Sequence, residues 1–435
     1  MLLIKILAVY LSFEEFFLKW IPVSEQGYLL LRQVPDAVVF LLSLSQVFFL
    51  FLFNKRLPIS GGKIDVFIFL FVLWSFFCLI INPQADFLIG LANIKSILRY
   101  VLLLYIILII NPSEQEVQRL LNWLYAAVIF QALVGFSQFF GGIGVRDILA
   151  ARSVSEEIAG IGKNFTGNKF ETVNDLMGTM GNTINFAYFM LLGLIMTLFR
   201  DLYFLNKVCL ILVFVILIFL SGSKAVFISS LLLLYWCCLK KIGVGKTVLV
   251  TLLALPIVFI SAYLMTPDSV RMEMLSSGES LLKGMKNSRL GVMGLISKVV
   301  FSFQGVVGFS PDKYYIAEYI SKNFPLLPSV FVIVLPRVLE DVYWVALYLY
   351  YGVIGLLIWI SILFLVFKRI KETFQISGLS GKYISLIAAS LVVLSIPLNL
   401  LNQAFEVRTF SFYLWLFCGL TVAYRRNLLR KGGEV

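Results

Sequence analysis

The chain has no histidine among its 435 residues. That removes imidazole metal ligands, histidine-activated nucleophiles and the commonest general base together. Charge is also scarce: 14% of residues are Asp, Glu, Lys or Arg, about half the share of a soluble domain. The five cysteines, Cys78, Cys209, Cys237, Cys238 and Cys418, lie in or at the ends of apolar runs. Their spacing fits neither a metal site nor a disulfide framework, and they read as small apolar side chains. No small-residue cleavage site follows the first apolar stretch, so that stretch is expected to be a retained helix and not a signal peptide. The net charge is +12, but no basic cluster interleaves with aromatics on a polar segment, which argues against a nucleic-acid surface. A phosphate loop is excluded at "KKIGVGKTVL" (240–249), because Lys240 stands where the motif needs its first glycine.

What is present is apolar: 60% of residues are hydrophobic and 15% aromatic. This is the composition of an integral membrane protein. The runs are too long and continuous for the alternating strands of an outer-membrane barrel. The expected fold is therefore all-α, a single polytopic transmembrane bundle over 1–435 with about twelve spans. They fall at roughly 2–22, 35–53, 64–82, 93–110, 119–140, 178–199, 205–221, 224–239, 247–265, 341–367, 382–400 and 405–424. The first is the weakest, because Glu14 and Glu15 lie inside it.

Basic residues in short loops orient the bundle. Lys55, Arg56 and Lys63, then Arg200 and Lys207, then Lys240, Lys241 and Lys246, then Lys368, Arg369 and Lys371, and finally Arg425, Arg426, Arg430 and Lys431 fall on one side if both termini are cytoplasmic. Two long segments then lie outside, a first outer loop at 141–177 and a large one at 266–340. Within the second, Asn287 or Ser288 caps an expected helix near 288–304, with Leu290, Met293, Val300 and Phe303 as its apolar stripe and Gly305 and Gly308 stopping it. Such a helix suits the outer membrane interface.

A second set of cations maps to outer helix ends: Lys95 and Arg99, Arg152, Lys224, Arg289, Arg337 and Arg408. Each alone reads as a side chain snorkelling to headgroups. Together, beside Glu340, Asp341 and Glu406, they could hold a phosphate or pyrophosphate, with arginine suited to bidentate contact. At Lys224, in "FLSGSKAVFISSLLLLYW", a helix N-terminus adds free N–H groups and a favourable dipole.

Four stretches, in order, resemble the bacterial O-antigen polymerase/ligase superfamily, the Wzy-like and ligase-like membrane glycosyltransferases. "MGTMGNTINFAYFMLLGL" (177–194) is similar to the family's glycine–asparagine span. "SGSKAVFISSLLLL" (221–234) resembles its "SGSR" span, with Lys224 where arginine is usual. "SRLGVMGLI" and "GVVGF" (within 288–309) resemble the arginine and glycine motif of its large outer loop. "EDVYWVALYLYYGVIGLLIWISILFL" (340–365) resembles the polar-then-glycine span that follows. The resemblance covers roughly 90–370.

The resemblance implies a polysaccharide repeat-unit polymerase of the bacterial cytoplasmic (inner) membrane, making O-antigen, capsule or exopolysaccharide. Its substrate would be an undecaprenyl-pyrophosphate-linked oligosaccharide, transferred at the outer face to a lipid-linked acceptor repeat. The reaction would be metal-independent and inverting, without a cofactor, and a chain-length regulator is an implied partner. Arg289 would stabilise charge, with Lys224, Arg152, Arg99, Arg408 and Arg337 as further pyrophosphate ligands. Asp341, with Glu340, is the candidate base, although Asp341 reads equally as a helix cap. Tyr314, Tyr315 and Tyr319 could stack on sugars, or sit at the interface as tyrosines do. The ligase branch has a histidine near the polar end of the span after the large loop. "ED" stands here instead, which favours polymerase. The alternatives are a ligase of the same fold and a lipid-linked oligosaccharide flippase. If the arginine assignment holds, Arg289→Ala abolishes polymer in a complemented deletion strain while the protein is still inserted, and Lys368→Ala changes little; normal polymer from Arg289→Ala would refute the pyrophosphate clamp.

Overall fold

The computed structural model describes residues 1–21, 24–52, 62–149, 176–242, 302–323, 335–336, 339 and 342–432. Every element among them is helical, as the apolar runs predict. In chain order these are α1 (Leu2–Tyr10), α2 (Glu14–Trp20), α3 (Glu25–Arg32), α4 (Val34–Leu52), α5 (Lys63–Ile81), α6 (Phe87–Leu98), α7 (Val101–Ile110) and α8 (Glu114–Leu149). There follow α9 (Thr183–Phe199), α10 (Phe204–Leu220), α11 (Lys224–Ile242), α12 (Phe303–Val307), α13 (Lys313–Asn323), α14 (Tyr343–Ile376), α15 (Leu379–Leu401) and α16 (Arg408–Gly432).

Among the described residues, 4 helices are long and apolar enough to cross a membrane, or up to 6 if each bent pair counts as one span. Three shorter apolar helices, Thr183–Phe199, Phe204–Leu220 and Lys224–Leu239, match expected spans. The chain is thus a helical membrane protein. The expected ninth span, at 247–265, and the expected interfacial helix, apart from 302–304, lie outside the described residues.

The differences from the hydropathy reading are breaks. The first expected span is two short helices, α1 and α2, parted at Leu11–Phe13. α3 and α4 bend by 45°, and α6 and α7 by 47°. The fourth expected span starts at Phe87, so Arg99 lies inside it and does not open it. α8 runs to Leu149, well into the expected first outer loop. Near the expected stop of the interfacial helix, Ser302 instead caps a new short helix, accepting from the Gly305 N–H at 3.0 Å. That helix contains Gly305 and ends at Gly308.

α14 is also interrupted. Gly352 has φ 67° and ψ −172°, which splits the helix in two. Gly308 lies against the break with φ 103°. The two backbones meet there without side chains between them. A methyl group on Gly352 would collide with the Val306 carbonyl oxygen, and one on Gly308 with the backbone at Tyr350 and Tyr351. Carbonyls freed by the break are used: Phe309 N–H donates to the Leu349 oxygen at 2.9 Å, and Trp74 Nε1 donates to the Tyr351 oxygen at 2.8 Å. In a membrane such satisfaction is obligatory, because no water is at hand to replace it.

The core is aromatic along α14 and α16. Trp359 packs on Phe71 and Phe405, and Tyr343 on Phe405, with centroids 4.8, 5.6 and 5.0 Å apart. Gly352→Ala and Gly308→Ala each force a left-handed φ on a residue with a Cβ, at about 1–2 kcal/mol before any collision. Both should lower the recovery of monodisperse protein after heating in detergent. Gly378→Ala, which meets nothing within 4 Å, should behave like wild type in the same chromatographic assay.

Candidate functional site

The bundle has two chemically different ends. At one, the described loops that carry Arg200 and Lys207, Arg369, and Arg425 and Arg426 converge. Arg200 stacks on Tyr125 at 4.5 Å and donates to Asn122, while Lys207 donates to the Arg200 carbonyl. Glu372 pairs with both Arg369 and Arg425, and Arg426 donates to the Leu108 carbonyl. Tyr383 Oη donates to the Met196 carbonyl. Along α16 this end is about 26 Å from Arg408, at 1.5 Å per residue. A hydrocarbon core is about 30 Å thick, so Arg408 and its partners occupy the far end.

That far end carries a buried ion network. Arg408 reaches Glu14 at 3.1 Å and Asp36 at 3.7 Å. Arg99 Nε lies 3.2 Å from the same Asp36, and Arg32 Nε lies 3.0 Å from Glu15. Tyr100 Oη donates to Asp36 at 2.8 Å, and Tyr28 Oη donates to Glu15. The bend between α6 and α7 falls at Arg99 and Tyr100. On a straight helix adjacent side chains point about 100° apart. The break lets both reach one carboxylate.

Three guanidiniums thus face three carboxylates, and the formal charges cancel. Layering matters more than the sum. The arginine side chains keep 13–17% of their surface and the carboxylates 5–6%. The acids lie beneath and the cations above. Arg408 commits both terminal nitrogens, to Glu14 and to Asp36. Arg99 makes its one ion pair among the described residues through Nε, so its terminal nitrogens stay available to a further anion.

Glu406 extends the network from the turn before α16. Its backbone N–H donates to the Gln403 carbonyl at 2.9 Å. Arg99 and Lys313 are the cations whose charges act on its carboxyl.

The expected "SGSK" feature forms the turn between α10 and α11. Gly222, at φ 72°, reverses the chain, and Lys224 opens α11 with an exposed side chain. Among the described residues no carboxylate pairs with Lys224. The Leu176 N–H donates to the Leu220 carbonyl at 3.4 Å and so joins this turn to the start of the "MGTMGN" stretch.

That stretch is held by two glutamines the sequence reading did not single out. Gln131 and Gln138 of α8 are spaced i,i+7 on one helix face. Gln138 accepts from the Gly178 N–H and donates to the Gly178 oxygen, both at 2.9 Å. Gln131 accepts from the Thr179 N–H at 3.0 Å and donates to the Ser12 carbonyl at 2.7 Å. Two side-chain amides thus stand in for the backbone partners a strand would have. The signal in the sequence was the pair of glutamines in "FQALVGFSQFF" (130–140).

Of the expected site residues, the structure brings Arg99 and Arg408 together on Asp36. Lys224 stands on a separate turn and shares no hydrogen bond or ion pair with either. Arg152, Arg289, Arg337, Glu340 and Asp341 lie outside the described residues. Of the tyrosines expected to stack on sugars, Tyr314 is exposed, and Tyr315 and Tyr319 lie 6.2 Å apart. Among the described residues no cluster of Cys, Asp or Glu could hold a metal.

Removing Asp36 alone strands Arg99 in a low-dielectric site and leaves Arg408 with Glu14 as its one carboxylate among the described residues. Asp36→Ala should cost about 3–5 kcal/mol, read as a lower melting temperature in detergent. The Asp36→Leu/Arg99→Met pair should lose less than the single change, because it leaves fewer unpaired charges; an equal or larger loss would show that the pair is not coupled. No protein-family model matches this chain, and no curated protein matches it in sequence.

Proposed function

We propose that the protein is a polysaccharide repeat-unit polymerase. It takes a glycan linked to undecaprenyl pyrophosphate at the end of the bundle away from the basic loops and transfers it to a hydroxyl of a lipid-linked acceptor repeat. The observation that carries this reading is the pairwise docking of the four motif stretches. "MGTMGN" joins the "SGSK" turn through Leu176 and Leu220, and "GVVGF" seats on "YYGVIG" through Gly308 and Gly352. The α10 helix puts the "SGSK" turn about 25 Å from the Arg200 and Lys207 end, at 1.5 Å per residue. The cationic layer of Arg99 and Arg408 lies at that same far end.

In this reading the acceptor oxygen bonds to the anomeric carbon as the carbon–phosphate oxygen bond breaks. The pyrophosphate leaves with the electron pair, and the hydroxyl proton passes to a carboxylate, Asp341 or Glu340. The leaving group is already good, so the protein mainly holds developing negative charge and positions the acceptor. Lys224, Arg289 and Arg99 supply the charge, with Arg152, Arg337 and Arg408 as further ligands. Positive-inside orientation puts both termini in the cytoplasm of a bacterial cell.

A flippase for lipid-linked oligosaccharides is the second reading. Two bent helix pairs meeting at a buried ion network favour it, since discontinuous helices line transport sites. A glycan gel separates the readings in a strain lacking the protein and complemented with wild type, Lys224→Ala or Arg99→Ala. For a polymerase, wild type restores a ladder and both variants leave single repeats on the final acceptor. Long lipid-linked polymer that never reaches the acceptor would mean a ligase. Single lipid-linked repeats trapped at the inner face would mean a flippase.

A further inference from the structure

A groove of about 590 Å³ runs between α1 and α8 on the outside of the bundle. Ile6, Val9, Phe13 and Phe17 line it. Trp123 flanks it and is 64% exposed. Apolar lining alone specifies nothing on a membrane-facing surface, because lipid tails are as apolar as the side chains. What distinguishes this groove is one mouth, where Lys5 and Arg119 are part of its wall. We propose that it seats one anionic glycerophospholipid, with the phosphate on Lys5 and Arg119 and an acyl chain along the phenylalanines.

Charge and position support this occupant. Arg119 is exposed and makes no ion pair among the described residues. Lys5 lies within electrostatic reach of Glu116, which offsets part of one cation. Glu114 makes no ion pair with either cation among the described residues and is not part of the groove wall, so the mouth keeps a net positive charge. Lys5 and Arg119 also belong to the end where the basic loops gather, through Glu116 and the neighbouring Leu108–Arg426 contact. Basic side chains at that depth attract anionic headgroups. Along α1 the wall rises about 8 Å from Lys5 to Tyr10, and Phe17 of α2 stacks on Tyr10 at 6.2 Å across the break. A floor that short takes part of one acyl chain. The proposal does not rest on the glycan-transfer reading, whose substrate would sit at the opposite end.

The experiment is native mass spectrometry of the full-length protein released from nanodiscs of mixed phosphatidylglycerol and phosphatidylcholine. Wild type is expected to retain one phosphatidylglycerol more than the Lys5→Ala/Arg119→Ala variant, whose affinity falls about tenfold or more. Ile6→Trp fills the groove at a lipid-facing position and leaves both cations; it should lose the same lipid. Lys368→Ala/Lys371→Ala should retain it. Equal retention by wild type and the double variant would overturn the proposal. So would a lipid that survives Ile6→Trp, since that means surface attraction with no seat in the groove. Equal retention of phosphatidylcholine would also overturn it, as would displacement of phosphatidylglycerol by added polyprenyl phosphate.

Discussion

A carboxylate inside an apolar bundle has to find a cation or take up a proton, and Asp36 has found two. An unpaired ion in such a site costs several kcal/mol, so the positions of α4, α7 and α16 are tied to one another wherever Asp36 sits. Arg99 and Arg408 approach it from helices that are remote in sequence, and Tyr100 completes the shell. At the break between α6 and α7, two consecutive side chains, Arg99 and Tyr100, converge on Asp36. The arginines end up above the acids and partly open to solvent. The same arrangement that neutralises the interior therefore presents a cationic face at the end of the bundle.

A second demand is on the backbone. Wherever a helix stops inside the bundle, freed amides and carbonyls need partners. Gly308 and Gly352 solve this by letting two main chains touch, with Trp74 and Cys78 side chains donating to the carbonyls left over. Gln131 and Gln138 solve it at Gly178 and Thr179 by lending amide side chains. Both devices sit at the end away from the basic loops, and both hold irregular segments in place. Irregular backbone at that depth is found in membrane proteins where it is buried in protein or lines a cavity.

Helical class, membrane character and the clustering of the basic loops were legible in the sequence, because each depends on local composition. So were the turn at Lys224 and the helix start at Arg408. The breaks were not. A hydropathy window averages over about twenty residues and passes smoothly across Arg99 or Gly352. Glu14 and Glu15 looked like a weakness of the first span, whereas they are counter-ions whose partners include Arg408, 394 positions away. Pairing at that range leaves no local trace. The glycine and asparagine motifs were visible, but their function as contact points required the partner backbone. Five of the expected site residues, Arg152, Arg289, Arg337, Glu340 and Asp341, lie outside the described residues.

The Glu14–Arg408 pair also bears on biogenesis. Glu15 and Asp36 gain Arg32 and Arg99 early in synthesis, but Glu14 waits for a residue 394 positions later. At 5–20 residues per second that wait is roughly 20–80 s. During it, the first helices lack the guanidinium that pairs with Glu14. Arrival of α16 supplies it. The last helix to be made thus latches the first, and nascent chains truncated before Arg408 would enter the bilayer with that latch open.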